Sequence, residues 1–220
     1  MAKIDHHVHT SRYSPDSDIS PGQLVEAARR AGLDVVVITE HDHQWERDEL
    51  AELNREAGGL VVLSGAEISA SEGHFLVYGL PNLDEVPAGV GLAELLATVE
   101  RHGAAVVAAH PFRWDQDFEA IVERHGAVFD GIELVSNNVT RETRTLAEAL
   151  LKRRPMMATG SSDGHQSGVV GCYFTEFPGD VKTIVDFVAA LKDGKGRPGH
   201  LEGSRMACGR ADSAIGRVPR

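Results

Sequence analysis

The sequence has few of the features that mark secreted or membrane proteins. Only two of its 220 residues are cysteines, Cys172 and Cys208, too few for a disulfide framework or a thiolate metal cluster. No apolar run reaches the roughly 18–20 residues that span a bilayer. The N-terminal segment MAKIDHHVHT has no apolar signal core. We therefore expect a cytoplasmic protein with reduced thiols and no membrane partner.

Basic residues are also scarce. The chain has 22 lysines and arginines against 33 aspartates and glutamates, for a formal net charge of -11. Nucleic-acid surfaces depend on basic patches, so we expect no nucleic-acid partner beyond nucleotides or short oligonucleotides. A small phosphorylated substrate stays compatible with this charge, provided that the binding site supplies positive charge of its own. Composition does not indicate an oligomeric state.

Short β-branched runs alternate with helical patterns along most of the chain. Strands are predicted near residues 3–9, 34–39, 60–64, 74–79, 104–109, 131–135, 156–160 and 169–175. Helices are predicted near 21–32, 44–57, 91–102, 116–125, 140–153 and 181–192. This alternation indicates βαβ units and a mostly parallel sheet. We expect one α/β domain over residues 1–193, folded as a small irregular barrel, and a Gly/Arg-rich C-terminal tail over 194–220.

The segment His7-Val8-His9 is the first candidate metal site. On a strand, residues two apart point to the same side, so both imidazoles face one way. Asp5 has the same parity and is predicted to hold a ligand histidine in place. Taken alone, the two histidines are equally compatible with a polar strand face.

Other metal-competent side chains lie at the ends of predicted strands: His74 opens the strand near 74–79, and the strand ends are followed by His41, Glu67, His110, Asp163 and His165. The carboxyl ends of parallel barrel strands are where sites are built, so these groups are expected to converge. Imidazole and carboxylate without thiolate suit zinc, manganese or iron. Two such ions about 3.5–4 Å apart can share a hydroxide and hold a phosphate for in-line attack. The pattern therefore predicts a multinuclear hydrolase site.

The ordered motifs resemble the polymerase and histidinol phosphatase family, called PHP. DHHVHTSRYSPDS is similar to the first motif of that family, TEHDH to the second and GAEIS to the third, and AHPFRW and GSSDGH are similar to later ones. GHFLVYG and GIELVSNN also resemble family segments, and the likeness covers about residues 3–175. It implies a TIM-barrel-like, distorted seven-stranded (β/α) barrel with two or three divalent ions.

The resemblance implies nine metal ligands, namely His7, His9, Asp16, His41, Glu67, His74, His110, Asp163 and His165. His7, His9 and Asp163 would hold the first ion, and Glu67 would bridge it to a second ion held by His74 and His110. Asp16, His41 and His165 would hold a third, with Asp16 standing where some members have histidine. Three divalent ions would leave the pocket locally cationic in an acidic protein.

Substrate contacts are less strongly indicated. Arg113 could grip a phosphate oxygen or form a surface salt bridge. His43 could protonate a leaving group or be a solvated loop residue. Arg12 and Asn137 are further candidates for substrate binding. Trp114, near the same rim, could line the pocket or simply pack.

These observations favour a metal-dependent phosphoesterase, a phosphatase or phosphodiesterase acting on a small phosphorylated metabolite or nucleotide. A metal-bridging hydroxide is the expected nucleophile, with Glu67, His43 and Arg113 as catalytic residues. One alternative is a non-catalytic module that binds metal or a partner, because fold does not determine function. Another is a nuclease that acts on short oligonucleotides.

Overall fold

The computed structural model describes residues 1–201, which form a single sheet with helices packed around it. Its strands are β1 (Ala2–Val8), β2 (Val35–His41), β3 (Val61–Ala70), β4 (Gly73–Tyr78), β5 (Ala105–Ala108), β6 (Gly131–Val135), β7 (Ala158–Gly160), β8 (Tyr173–Phe177) and β9 (Arg197–His200). Its α-helices are α1 (Pro21–Arg30), α2 (Arg47–Glu56), α3 (Leu92–Arg101), α4 (Phe118–His125), α5 (Arg141–Arg153) and α6 (Ile184–Asp193). The predicted helices are all present.

The sheet has the order β7-β6-β5-β4-β3-β2-β1-β8-β9. Strands β1, β2 and β3 pair in parallel, as do β5, β6 and β7. Strand β4 is antiparallel to both β3 and β5, and β8 is antiparallel to both β1 and β9. Seven strands therefore share one direction and two run against it. The predicted barrel-like α/β fold is confirmed, although the described residues form nine strands instead of seven.

A side chain joins the edge strand β7 to β8, the neighbour of the other edge strand, β9. In β8, Thr175 Oγ1 accepts a hydrogen bond from Gly160 N (2.9 Å) and donates one to Gly160 O (2.8 Å) in β7. A Cβ at residue 160 would lie 2.9 Å from Phe174 O, so only glycine allows this approach. The sheet is thereby drawn into a nearly closed barrel.

The start of the predicted tail differs from the expectation. Strand β9 lies within residues 194–201 and pairs with β8, with Arg197 opposite Glu176. These residues therefore belong to the sheet. The rest of the predicted tail, including Cys208, lies outside the described residues.

Alternation along the strands separates an inner from an outer face. Val35 and Val37 of β2 share a buried cluster with Leu63 of β3 and Tyr78 of β4, and only α6 among the helices contributes to this cluster. The cluster is therefore the barrel interior, and α6 covers one end of it. Helices α1 to α5 pack on the outer face instead.

The same alternation places polar side chains above this apolar layer. His41 continues the parity of Val35 and Val37, and Glu67 continues that of Leu63. Strand β4 runs in the opposite direction, so its first residues lie at the rim where β3 ends; there Ser69 is opposite His74. The interior is thus apolar at one end and lined by metal-competent groups at the other.

Candidate metal centre

Glu67 lies at the centre of the polar end of the barrel, where its side chain is 1% exposed. Its carboxylate contacts five imidazoles, those of His7, His9, His41, His74 and His110. Oε2 is 3.4 Å from His7 Nε2, 3.2 Å from His9 Nε2 and 3.0 Å from His41 Nδ1. Oε1 is 2.8 Å from His74 Nδ1 and 3.0 Å from His110 Nε2. One carboxylate therefore connects residues from four strands and the turns that follow them.

Asp163 forms a second centre beside Glu67. Its Oδ1 is 3.3 Å from His7 Nε2 and 3.6 Å from both His9 Nε2 and His165 Nδ1. Asn138 Nδ2 donates to the other oxygen, Oδ2, at 2.5 Å. The carboxylate is thereby aimed at His7 in β1 and at His9 just after this strand.

Asp16 closes the open side of the cluster. Its Oδ2 lies 3.1 Å from both His41 Nε2 and His165 Nε2. These three side chains are much more exposed than Glu67, at 55%, 28% and 24% respectively. The structure thus brings together all nine residues that the sequence indicates as ligands.

The donor atoms fall into groups that fit metal ions. Within residues 1–201, three sets have all ligand atoms within 4.8 Å of one another: His7, His9 and Asp163; His7, Glu67 and His110; and His9, His41 and His165. Each set combines imidazole with carboxylate or with further imidazole, a chemistry that suits zinc, manganese or iron. His74 and Asp16 lie at the edge of these sets and contact their members directly.

Two of the ligand candidates have backbone conformations that are rare for their residue types. His110 has φ of 26° and Asp163 has φ of 51°, both in the left-handed region. Such conformations cost about 1–3 kcal/mol each and persist where the surrounding structure enforces them, often at functional sites. Both residues follow strand ends, where the turn directs their side chains towards Glu67.

Glu133, in the middle of β6, supports this cluster and was not among the predicted site residues. Its Oε1 is 2.9 Å from His7 Nδ1, and its Oε2 accepts a hydrogen bond from His110 N at 2.7 Å. Ser161 also donates to Oε1. A carboxylate on the far nitrogen of a ligand histidine fixes its tautomer and raises its basicity. In the sequence, the sign of this role is the single glutamate that interrupts the apolar segment GIELV.

Glu40 plays a similar part behind His9. It accepts hydrogen bonds from Thr10 N (3.0 Å), Ser14 Oγ (2.6 Å) and Trp45 Nε1 (2.9 Å). Ser14 Oγ in turn lies 3.2 Å from His9 Nδ1. The ring of His9 is therefore oriented through a serine.

Asp5 binds backbone N–H groups, that of His7 among them, and contacts no ligand imidazole in the described residues, so the prediction that it holds a ligand ring is wrong. Its two oxygens accept hydrogen bonds from Ser162 N (2.9 Å) and Gly171 N (2.8 Å). The β1–β2 register shifts between Asp5 and Val8, which breaks the simple alternation on which the prediction depended. Asp5 therefore fixes the backbone that precedes Asp163, and burial raises its pKa to about 6.

The charges of the cluster shift one another's ionisation. Burial disfavours protonated His7, but Asp163, Glu133 and Glu67 outweigh it and raise its pKa well above the ordinary value. Burial likewise disfavours ionised Glu67, yet His7 and His110 hold its pKa well below the usual range. The pKa of His41 is raised to about 9, because Glu67 and Asp16 outweigh burial. The carboxylates around His7 and His41 therefore favour the protonated form of these two imidazoles in the metal-free protein.

Of the predicted substrate-binding residues, Arg113 lies beside the cluster. It lines a cavity together with His74 and His110, and its guanidinium lies 4.0 Å from the centre of the Trp114 ring. His43 packs its ring 3.9 Å from that of Tyr13, and within the described residues its buried Nε2 has no hydrogen-bond partner.

Arg12 and Asn137 are engaged elsewhere. Arg12 pairs with Glu49 and lies over the rings of Tyr13 and Trp45. Asn137 Nδ2 donates to Ser162 O at 2.5 Å. The contacts of Asn137 therefore position the turn before Asp163.

None of the helices within residues 1–201 has the length and hydropathy of a membrane-spanning segment.

Parts of the chain are similar in sequence to a protein family and to a known protein. Residues 141–195 match the family described as PHP-associated. An uncharacterised protein of Methanocaldococcus jannaschii, MJ1587, is 32% identical over 120 residues, which cover 50% of this chain and 68% of that protein.

Solved structures share the fold at lower identity. A two-domain protein of Bacteroides vulgatus, containing a predicted PHP-like metal-dependent phosphoesterase, is 20% identical with a TM-score of 0.71 over 91% of this chain. The match covers 65% of that longer protein. PsfC of Pseudomonas syringae is 22% identical, with a TM-score of 0.69 and 94% of both chains covered. The lesion-specific endonuclease PfuEndoQ of Pyrococcus furiosus is 17% identical, with a TM-score of 0.61 over 90% of this chain and 57% of its own.

The family match, the archaeal relative and the shared fold agree with the ordered motifs and with the ligand cluster at the barrel rim. The resemblance noted in the sequence is confirmed, and the chain belongs to the PHP family.

Proposed function

We propose that this chain is a metal-dependent phosphoesterase that hydrolyses a small phosphorylated metabolite or nucleotide with three divalent ions. The observation that carries the proposal is the contact of one buried carboxylate, Glu67, with five imidazoles. A carboxylate surrounded in this way is suited to bridge two cations. Nine ligand side chains at one rim exceed what a single structural ion requires.

The types and positions of the side chains at the barrel rim suit divalent ions and therefore support this chemistry. Bound divalent ions would supply Lewis acidity towards the phosphate and would make water acidic enough to react near neutral pH. His7, His9 and Asp163 would hold one ion, Glu67, His74 and His110 a second, and Asp16, His41 and His165 a third. Glu133 and Ser14 would keep the imidazoles of His7 and His9 in the ligating tautomer.

Arg113 and His43 are the proposed groups for the phosphoester itself. Arg113 lines the cavity that reaches His74 and His110, and its guanidinium brings a positive charge to this region. Its planar fork can therefore hold two phosphate oxygens. His43 follows His41 by two residues, and its ring is the proposed proton donor to the departing alcohol.

The test is turnover of p-nitrophenyl phosphate and glycerol phosphate by protein stripped with chelator and then reloaded with manganese, zinc or iron. We expect hydrolysis that requires metal and disappears in Glu67→Gln. The matched control is Glu52→Gln, which removes a carboxylate that is 70% exposed on α2 and should keep full activity. Metal-loaded protein that hydrolyses no phosphoester would instead support a non-catalytic module.

A further inference from the structure

A cavity of about 390 Å³ opens directly beside the proposed metal centre. It lies between the β3–β4 turn, the segment 113–117 and α4, and its lining includes Glu72, His74, His110, Arg113, Trp114 and Arg124. Two of these residues are proposed metal ligands. A molecule whose phosphate meets the ions therefore has this cavity available for its organic part.

Trp114 forms an aromatic wall of this cavity. Its side chain is 66% exposed although tryptophan is usually well buried. The indole lies edge-on to His74, with ring centres 5.2 Å apart, and to His110, at 5.7 Å. Arg113 lies over the same ring at 4.0 Å. Exposed aromatic surface, a guanidinium and two proposed ligands thus occupy one small region.

The backbone that carries Trp114 is strained. Phe112, Trp114 and Asp115 have φ of 66°, 53° and 58°. Bulky residues seldom adopt the left-handed region, so the surrounding structure must enforce these conformations. The exposure of the indole is therefore imposed by the fold of this segment.

Gln116 locks the segment in place. Its Oε1 accepts a hydrogen bond from Phe112 N at 3.1 Å, and its Nε2 donates to Glu72 O at 2.7 Å. A Cβ at residue 73 would lie 2.0 Å from Gln116 Nε2, so Gly73 is required for this contact. The aromatic wall is consequently tied to the β3–β4 turn, close to His74.

We infer that Trp114 is a specificity residue that stacks on a planar aromatic ring in the organic part of the phosphoester. This inference rests on the proposed function and narrows its substrate class to aryl or nucleobase-bearing phosphoesters. An exposed indole can stack on a planar ring without breaking packing contacts in the protein core. Stacking between a base and an aromatic side chain is a strong contact that depends little on which base is present. Arg113 is placed to meet the phosphate of the same molecule while it packs on the indole.

The first arm of the test measures selectivity in metal-loaded protein. We compare kcat/KM for an ester that carries a ring with kcat/KM for glycerol phosphate, which carries none. The ring-bearing esters are p-nitrophenyl phosphate and, in a separate series, adenosine monophosphate, and each gives one ratio. Trp114→Ala should lower this ratio about tenfold, whereas Trp114→Phe should keep most of it. The control Leu146→Ala truncates an exposed side chain on α5, 47% exposed, and should not change the ratio. A ratio unchanged in Trp114→Ala would overturn the inference.

The second arm separates this inference from the proposed function, because it needs no turnover. Phenylphosphonate and methylphosphonate are titrated against metal-loaded protein while tryptophan fluorescence is recorded. Trp114 is the exposed reporter, since Trp45 is only 6% exposed. Phenylphosphonate should bind about tenfold more tightly and change the emission, and Trp114→Phe should lose that change. Equal affinities for the two phosphonates would overturn the stacking role even in an active enzyme. Tight, Trp114-dependent phenylphosphonate binding without hydrolysis of any ester would uphold the pocket and refute the phosphoesterase proposal.

Discussion

The proposed ligands divide into a buried and an exposed group that differ in how the fold supports them. The inner group comprises His7, His9, Glu67, His110 and Asp163, which are at most 4% exposed, and His74, which is 24% exposed, contacts Glu67 at the edge of this group. The outer group comprises Asp16, His41 and His165, whose side chains are 24% to 55% exposed. Both groups offer imidazole and carboxylate, so their chemistry is similar. They differ in the number of contacts that hold the ligands before any ion arrives.

The inner ligands are held from behind. Glu133 contacts both His7 and the backbone of His110, and Asn138 holds Asp163. Asp16 of the outer group lies on the long loop between β1 and α1 and contacts only His41 and His165 through its carboxylate in the described structure. Preorganised ligands bind ions without a further ordering cost. We therefore expect tight binding at the inner positions and weaker, exchangeable binding at the outer one.

The largest effect is expected for Glu67→Gln, because this carboxylate contacts both groups. The variant keeps the shape of the side chain and removes its charge. It should lose metal from the inner positions and reduce kcat by at least about 10²-fold, as for loss of a major electrostatic stabiliser. Steady-state kinetics and elemental analysis on the same sample test this. Near-normal turnover at full metal content would show that Glu67 does not bridge ions.

Glu133→Gln should weaken only the inner group. Losing the charge behind His7 lowers the basicity of its ligating nitrogen, and changes of this kind cost about 10- to 100-fold in metal affinity. Calorimetric titration of the stripped protein with zinc measures the effect. The control is Glu176→Gln, which removes a carboxylate of β8 that lies away from the cluster. If outer-site affinity fell as much as inner-site affinity, the division into two groups would be wrong.

Asp16→Asn should weaken the binding of one ion and leave the others in place. The carboxylate is 55% exposed and contacts only the outer histidines in the described residues. We expect about tenfold weaker binding of that ion, which corresponds to about 1.4 kcal/mol. The matched control, Asp18→Asn, alters an exposed carboxylate on the same loop. Loss of every ion in Asp16→Asn would contradict the independence of the inner group.

The smallest effect concerns pH in the metal-free protein. The folded pKa of His41, about 9, lies above the ordinary 6.5, so its protonation stabilises the fold fully below pH 6.5. That contribution declines as pH rises through 9. Asp16 supplies part of this shift, so Asp16→Asn should lose less stability than the parent between pH 6.5 and 9.5. The difference should stay below about 1 kcal/mol, because Asp16 is largely exposed. Urea unfolding with chelator present measures it, and identical pH profiles would exclude the Asp16 contribution.

The metal-competent residues could be predicted because their positions follow from local rules. His41 ends β2, His110 follows β5 by two residues and Glu67 lies among the last four residues of β3, and a barrel brings the ends of its parallel strands together. Their spacing therefore implies proximity without knowledge of the tertiary contacts. The helices were predictable for a similar reason: Ser20 and Gln23 form a capping box at the start of α1, and such a box depends only on residue types three positions apart.

Features that depend on tertiary contacts were missed. Strand β9 reads Arg-Pro-Gly-His, which has low strand propensity, and it forms because β8 offers an edge. Glu133 looks like an isolated charge until β6 is placed beside His7. Arg12 is drawn to Glu49 on α2, a contact between residues 37 positions apart in the sequence. Side-chain partners of this kind are decided by packing, which no spacing rule reveals.

The most direct test of the two-group account is stepwise removal of metal from fully loaded protein. The ions that remain per chain are counted by elemental analysis as the chelator concentration rises. We predict that one ion leaves at low chelator concentration and that two remain until a concentration at least about tenfold higher. Fewer than one ion per chain after loading, or loss of all ions in a single step, would contradict the account.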